Sequence, residues 1–230
     1  MVIKSKRVMA QPVACIPPSR ILIVDDHPMV REGLKMRIGN ESDLVVCGEA
    51  ETEAEALQLV RSSHPDLVIA DLSLKSGHGM DLVRRIGEEY PAVYVLVLSM
   101  YDEVLYAERA LRAGARGYLN KQEPQGRVID AIHTVLAGNV FLTPEMTQRA
   151  LGRMRNERTH ADPVDELTDR ELQIFEMLGH GMGTRQIAEQ LNRSIHTVES
   201  HREKIKRKLG LDSANDLIQR AVKWTMEQDK

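Results

Sequence analysis

Three aspartates, a serine and a lysine in the first half of the chain stand where chemistry could be done. Asp25 and Asp26, Asp71, Ser99 and Lys121 each lie at or just beyond the end of a short apolar run: 21–24, 67–70, 93–98 and 117–119. If those runs are strands of one parallel sheet, the polar residues that follow them converge on one edge. Three carboxylates gathered there repel one another unless a cation lies among them. An all-oxygen set suits Mg²⁺, which keeps some of its water and bridges readily to phosphoryl groups. A lysine and a hydroxyl beside it complete a cradle for a phosphate. A carboxylate in such a cradle can attack a phosphoryl donor and form an acyl phosphate, with catalysis supplied by positioning and charge neutralisation. Asp71, central in that sheet, is the expected nucleophile.

The segments between the runs supply the frame. Apolar residues recur at helical spacing over 29–38, 53–61, 80–89, 104–113 and 126–136, and 44–47 supplies a second strand. The strand runs are apolar on both faces, as strands buried inside a parallel sheet must be. Alternating strands and helices predict a doubly wound α/β domain, whose ligands bind at the carboxyl ends of its strands. An Asp-Asp pair before a helix is, taken alone, more often an N-cap than a metal site. The coincidence of five polar residues at strand ends reverses that weighting.

Composition narrows the alternatives. The 230 residues are 42% hydrophobic and 28% charged, enough apolar material for packed cores and unlike a disordered chain. A net charge of -3 argues against a protein that coats nucleic acid indiscriminately, so any basic patch must be local. Cys15 and Cys47 are too few for a disulfide framework and lack zinc-site spacing, which points to a reducing compartment, the cytoplasm. The first nineteen residues contain Lys4, Lys6 and Arg7 but no signal-peptide or membrane stretch, and Pro12, Pro17 and Pro18 interrupt them. A loose tail is expected there.

The second half reads as a helical bundle. A connecting helix is expected over 145–154 and a polar, Pro163-containing linker over 156–166. Thr168 and Glu171 have capping-box spacing ahead of Leu172, Phe175 and Leu178, and Gly179, Gly181 and Gly183 end that helix. A short helix over 185–191 and another after Ser194 then give a helix-turn-helix layout. In the last of these Ile195, Val198, Ile205 and Leu209 form an apolar stripe, leaving Thr197, Ser200, His201, Lys204 and Lys208 largely off it. From 193 to 208 six Lys or Arg stand against two Glu, a local excess of four positive charges suited to phosphate contacts. On charge alone a solvated amphipathic helix explains the pattern as well.

ILIVDDHP, LVIADLSLKSGHGMDLV, VLVLSM and AGARGYLNK resemble the receiver domain of two-component response regulators. The resemblance implies a flavodoxin-like (βα)5 fold with Asp71 as phosphoacceptor and Asp25, Asp26 and the Ser73 carbonyl holding Mg²⁺ with it. It makes Ser99 the switch hydroxyl, Tyr118 the switch aromatic that turns inward when Ser99 moves, and Lys121 the phosphate-binding lysine. Lys75 and Gln122 stand where many receivers have proline. Met100 stands where many have alanine, and it is expected to slow access to Asp71. A dehalogenase-like phosphatase is disfavoured because it needs a second acid where Ser73 stands.

LTDRELQIFEMLGHGMGTRQIAEQLNRSIHTVESHREKIKRKLGL resembles the LuxR-type helix-turn-helix of the NarL/FixJ subfamily. That implies a four-helix DNA-binding domain with its recognition helix over 196–209. Glu199 and Glu203 face outward where many members present lysine, and glutamate can accept from cytosine N4. A final helix over 214–224 would supply a dimer contact through Leu217, Ile218, Ala221 and Val222, and packing within one subunit explains those residues about as well. The expected organisation is a tail (1–19), a receiver (20–140), a connecting helix and linker (141–164) and the DNA-binding domain (165–230). The implied function is a cytoplasmic phosphoacceptor transcription factor, not an enzyme beyond its own phosphotransfer and slow dephosphorylation. Its partners would be a sensor histidine kinase, double-stranded DNA, a second copy of itself and RNA polymerase. Regulation independent of phosphorylation, and a small-molecule phosphatase with a helical protein-binding module, are the rival readings.

Overall fold

A computed structural model describes residues 17–74, 79–101, 103–122, 127–144, 146–148, 163–191 and 193–228. The first half alternates strictly: β1 (Ser19–Val24), α1 (Pro28–Ile38), β2 (Leu44–Ala50), α2 (Glu53–Ser63), β3 (Leu67–Ala70), α3 (Gly79–Glu89), β4 (Tyr94–Ser99), α4 (Glu103–Arg112), β5 (Gly117–Asn120) and α5 (Arg127–Leu136). The strands form one sheet in the order β2-β1-β3-β4-β5, and every pair is parallel. The switch in strand order falls beside β1 and β3, which end at Asp25 and Asp71 and open a crevice there.

Period-two alternation explains why the strand runs had to be apolar throughout. Ile21 and Ile23 of β1 face α1 and α5, packing with Leu34, Ile38, Val128 and Ile132. Leu22 and Val24 face the other way, toward Leu57, Val60, Val83, Ile86 and Tyr106 of α2, α3 and α4. Each such buried aliphatic side chain is worth about 1.5–3 kcal/mol, so the strand runs dominate the core of this half.

Among the described residues from 163 onward stand a 3-10 turn (Pro163–Glu166) and four helices: α6 (Asp169–Gly179), α7 (Thr184–Gln190), α8 (Ile195–Leu209) and α9 (Ala214–Gln228). The capping box that starts α6 is present. Thr168 N–H donates to Glu171 Oε2 at 2.8 Å, and Glu171 N–H donates to Thr168 Oγ1 at 3.4 Å. At its other end α6 meets α9 so closely that a Cβ on Gly179 would lie 2.0 Å from Thr225 Oγ1 and 2.8 Å from the Ala221 carbonyl. Phe175 and Trp224 fill the space between the same helices, ring centroids 5.5 Å apart.

Expected and observed boundaries differ by a few residues, most at α9, which continues to Gln228, and β2, which continues to Ala50. Most of the connecting helix expected over 145–154, residues 156–162 of the linker expected over 156–166, Lys75, and residues 1–16 of the expected tail lie outside the described residues. None of the described helices is long and apolar enough to cross a membrane.

The two halves touch. Arg109 of α4 donates to the Leu167 carbonyl at 2.6 Å and pairs with Asp169 at 3.3 Å. The Tyr106 hydroxyl donates to Glu176 at 3.2 Å, and Arg84 of α3 reaches Asp169 at 3.7 Å.

Candidate functional site

The strand ends bring the expected residues together. Lys121 Nζ lies 2.7 Å from Asp25 Oδ2 and 2.8 Å from Asp71 Oδ2, with only 7% of its side chain exposed. Asp25 and Asp71 are each 2% exposed. Burial pushes the Asp71 carboxyl above its ordinary range, and the Lys121 ammonium offsets this only in part. Burial works against the Lys121 ammonium too, but Asp71 and Asp25 outweigh it and hold that pKa above its usual value.

The acid pair is not a helix cap: the N-cap of α1 is His27, whose side chain makes no capping bond, and Pro28 follows at the first helical position. His27 went unnoticed in the sequence. Its amide donates to Asp25 Oδ1 at 2.8 Å, and its Nδ1 lies 2.7 Å from Asp26 Oδ1 without the alignment of a hydrogen bond. One donor atom from each of Asp25, Asp26, His27 and Asp71 lies within 4.8 Å of all the others. Among the described residues Asp26 Oδ1 and Asp71 Oδ1 are buried with no hydrogen-bond partner. Buried carboxylate oxygens of that kind are costly unless a cation or donor meets them, so the donor set fits a hard divalent ion.

Ser99 is fully buried, and its Oγ accepts from the Tyr101 amide at 3.3 Å. Tyr118 departs from the expectation that it awaits an inward turn. It is already 0% exposed, and its hydroxyl donates to the Tyr101 carbonyl at 2.9 Å. It lies in the same buried cluster as Tyr106, on the α2–α4 side of the sheet. Ser73 lies beside the pocket, its amide lowering the Asp71 pKa. Met100 is 55% exposed.

A glycine that the sequence did not single out fixes the pocket floor. A Cβ on Gly79, the first residue of α3, would lie 2.0 Å from the Asp71 carbonyl oxygen and 2.5 Å from Leu72 Cα. Both are backbone atoms and cannot turn aside. Gly79→Ala should therefore lower stability by about 1–3 kcal/mol, as overpacking does, and shift Asp71. Urea unfolding of the variant beside wild type checks this; an unchanged midpoint would mean that the α3 start has room to move.

In α8, Glu199, Ser200, Glu203, Lys204 and Lys208 are exposed, and Thr197 and His201 are half-buried. Lys208 does not point freely outward: its Nζ lies 2.7 Å from Glu171 and 3.0 Å from the Glu166 carbonyl. Burial raises the Glu171 pKa, but Lys208 and Thr168 more than reverse it, leaving that carboxyl below its usual value. Thr197, Val198 and His201 line a cavity of about 520 Å³ whose other wall includes Asp81 and Arg84 of α3. His201 Nδ1 is buried there without a partner among the described residues, and burial together with Lys204 lowers its pKa. In α9, Leu217 and Ala221 are fully buried within the domain, whereas Ile218 is 39% and Met226 64% exposed.

Comparison with known proteins agrees with this division. Residues 21–133 match the family described as response regulator receiver domain, and residues 165–221 match bacterial regulatory proteins, luxR family. The oxygen regulatory protein NreC of Staphylococcus carnosus is 36% identical over 210 residues, covering 89% of this chain and 97% of that protein. A LuxR-family two-component response regulator from Aurantimonas sp. superposes with a TM-score of 0.56 at 35% identity, covering 60% of this chain and 99% of its own. RcsB from Salmonella enterica serovar Typhimurium, bound to a promoter in the presence of the phosphomimetic BeF3-, gives a TM-score of 0.55 at 26% identity, covering 87% of this chain and 96% of its own. The chain belongs to the LuxR-type, NarL/FixJ family of two-component response regulators and is a DNA-binding transcription regulator.

Proposed function

We propose that Asp71 accepts a phosphoryl group from a sensor histidine kinase and that the added charge frees the DNA-binding helices from the receiver. The supporting observation is Lys121, held between Asp25 and Asp71 beside two buried carboxylate oxygens that accept no hydrogen bond. Bound Mg²⁺ would neutralise the carboxylates and the phosphoryl oxygens; Asp25, Asp26, Asp71 and the Ser73 carbonyl are the residues to hold it. One carboxylate oxygen of Asp71 attacks the phosphorus as the P–N bond of the donor histidine breaks. Lys121 stabilises the charge that accumulates on the phosphoryl oxygens. Ser99 Oγ then turns from the Tyr101 amide to a phosphoryl oxygen.

Release matters because Thr197 and His201 line the cavity against α3, so part of the recognition face is covered while the domains are docked. Once free, α8 would enter the major groove with Thr197, Glu199, Ser200 and His201 toward bases and Lys204 toward phosphate. Glu203 pairs with Lys206 at 2.9 Å, and Lys208 would have to leave Glu171 to reach the backbone. The exposed Ile218, continued by Met226, is the part of the dimer seam that a second copy can meet. RNA polymerase is the further partner such a dimer would engage, in the cytoplasm.

Selection of bound duplexes from a randomised pool by the full-length protein, with and without phosphodonor, tests this. The proposal expects a shared, roughly palindromic sequence to emerge, more strongly with donor. A pool that stays random in both arms would contradict it. On the selected duplex, Lys204→Ala should reduce the slope of log affinity against log salt by about one, the loss of one phosphate contact. An unchanged slope would place Lys204 away from the DNA.

A further inference from the structure

Tyr101 connects three elements that the phosphorylation pocket and the DNA-binding domain share between them. Its amide donates to Ser99 Oγ at 3.3 Å. Its carbonyl accepts from the Tyr118 hydroxyl at 2.9 Å and from Asn120 Nδ2 at 3.1 Å. Its ring stacks on Tyr106 with centroids 4.8 Å apart. Its hydroxyl meets the Ser73 side chain on one side and Gln173 of α6 on the other. Burial, with the Asp71 charge adding to it, pushes that phenol up to about 12, so it remains a neutral hydrogen-bonding group. Gln173 is itself 2% exposed and accepts from Arg170 at 2.6 Å, which fixes the far end of the contact.

These bonds bear on the chemistry at Asp71. Accepting from the Tyr101 amide leaves the Ser99 O–H free to donate but draws its oxygen toward that backbone, and to reach a phosphoryl oxygen the hydroxyl must swing away. Ser73, which the Tyr101 hydroxyl also meets, is the residue whose carbonyl is expected at the cation. Tyr118 is already inside and bonded to Tyr101, so movement of Ser99 is felt first by the Tyr101 backbone. The side chain of that residue ends on the DNA-binding domain.

We propose that Tyr101 is a positioning residue for phosphorylation of Asp71, and that the docked DNA-binding domain, through Gln173, holds it where Ser99 stays turned from the phosphate. The proposal rests on the reading of Asp71 as phosphoacceptor. It deepens that reading by assigning the receiver's own reactivity to a contact made by the other domain. Coupling free energies are reciprocal, so the factor by which phosphorylation favours DNA binding is the factor by which DNA binding favours the phosphorylated state.

The test uses full-length protein with saturating Mg²⁺ and acetyl phosphate, following the intact mass over time in wild type, Tyr101→Phe, Gln173→Ala and the double variant. Tyr101→Phe keeps the ring and its stacking and removes only the hydroxyl. Each single variant should take up the phosphoryl group about fivefold faster, the worth of one net hydrogen bond. The double variant should be no faster than either single one, because both remove the same contact. A merely structural role would change melting temperature without this non-additive acceleration. Wild type and variants reacting at one rate, or variants reacting more slowly, would overturn the proposal and leave Asp71 as phosphoacceptor. No mass gain in any of the four proteins would overturn both.

Discussion

Lys121→Met should leave the folded chain about 3–5 kcal/mol less stable at neutral pH, the cost of removing one partner from a buried ionic cluster. The side chain is 7% exposed and its ammonium stands 2.7 Å from Asp25 and 2.8 Å from Asp71. Methionine fills nearly the same volume but leaves two buried carboxylates facing each other. The Lys121 pKa is raised in the folded chain. Its stabilisation is therefore complete below the ordinary lysine pKa and is lost only as pH rises through the folded value, so none is lost near pH 7. Millimolar Mg²⁺ should restore much of the loss, because a cation that binds the native pocket stabilises it by mass action. Urea unfolding of wild type and variant, with and without Mg²⁺, reads both effects. A variant as stable as wild type, or one that Mg²⁺ leaves unchanged, would contradict the arrangement of charges described here.

The second large effect is expected at the contact between domains. Arg109 donates to the Leu167 carbonyl at 2.6 Å and the Val164 carbonyl at 3.4 Å, and pairs with Asp169 across a gap in which each side chain is 19% exposed. Hydrogen bonds from a charged donor are worth about 1.5–3 kcal/mol. Losing about 2 kcal/mol from the docked state shifts the ratio of open to docked chains by about thirtyfold. Arg109→Ala should then bind a selected duplex more tightly than wild type when neither is phosphorylated, by up to that factor. Equal affinity of the two proteins would mean that docking does not limit access to α8.

The receiver pocket was legible in the sequence because its members follow buried strands. A strand of a parallel sheet is apolar on both faces, so the first polar residue after it is conspicuous, and strand order delivers Asp25, Asp71 and Lys121 to one place. Periodicity fails where side chains cross between elements. It marked Lys208 as outward, yet the long side chain reaches back to Glu171 on α6. It placed Leu217, Ile218 and Ala221 on one apolar face, yet α6 covers Leu217 and Ala221 and leaves Ile218 exposed. Gly79 is legible only once α3 is known to begin against the Asp71 backbone. Tyr101 and Gln173 are 72 residues apart, and only docking of the two domains makes them neighbours.

On the proposed function, Asp71 is the residue phosphorylated and its phosphorylation strengthens DNA binding. Intact-protein mass after incubation with Mg²⁺ and acetyl phosphate, in wild type and Asp71→Asn, tests it most directly when duplex binding is measured on the same samples. A gain of about one phosphoryl mass is expected in wild type alone, the stoichiometry of a single aspartyl phosphate, with tighter sequence-selective binding. An equal gain in Asp71→Asn, or no gain with DNA binding the same in both proteins, would contradict it.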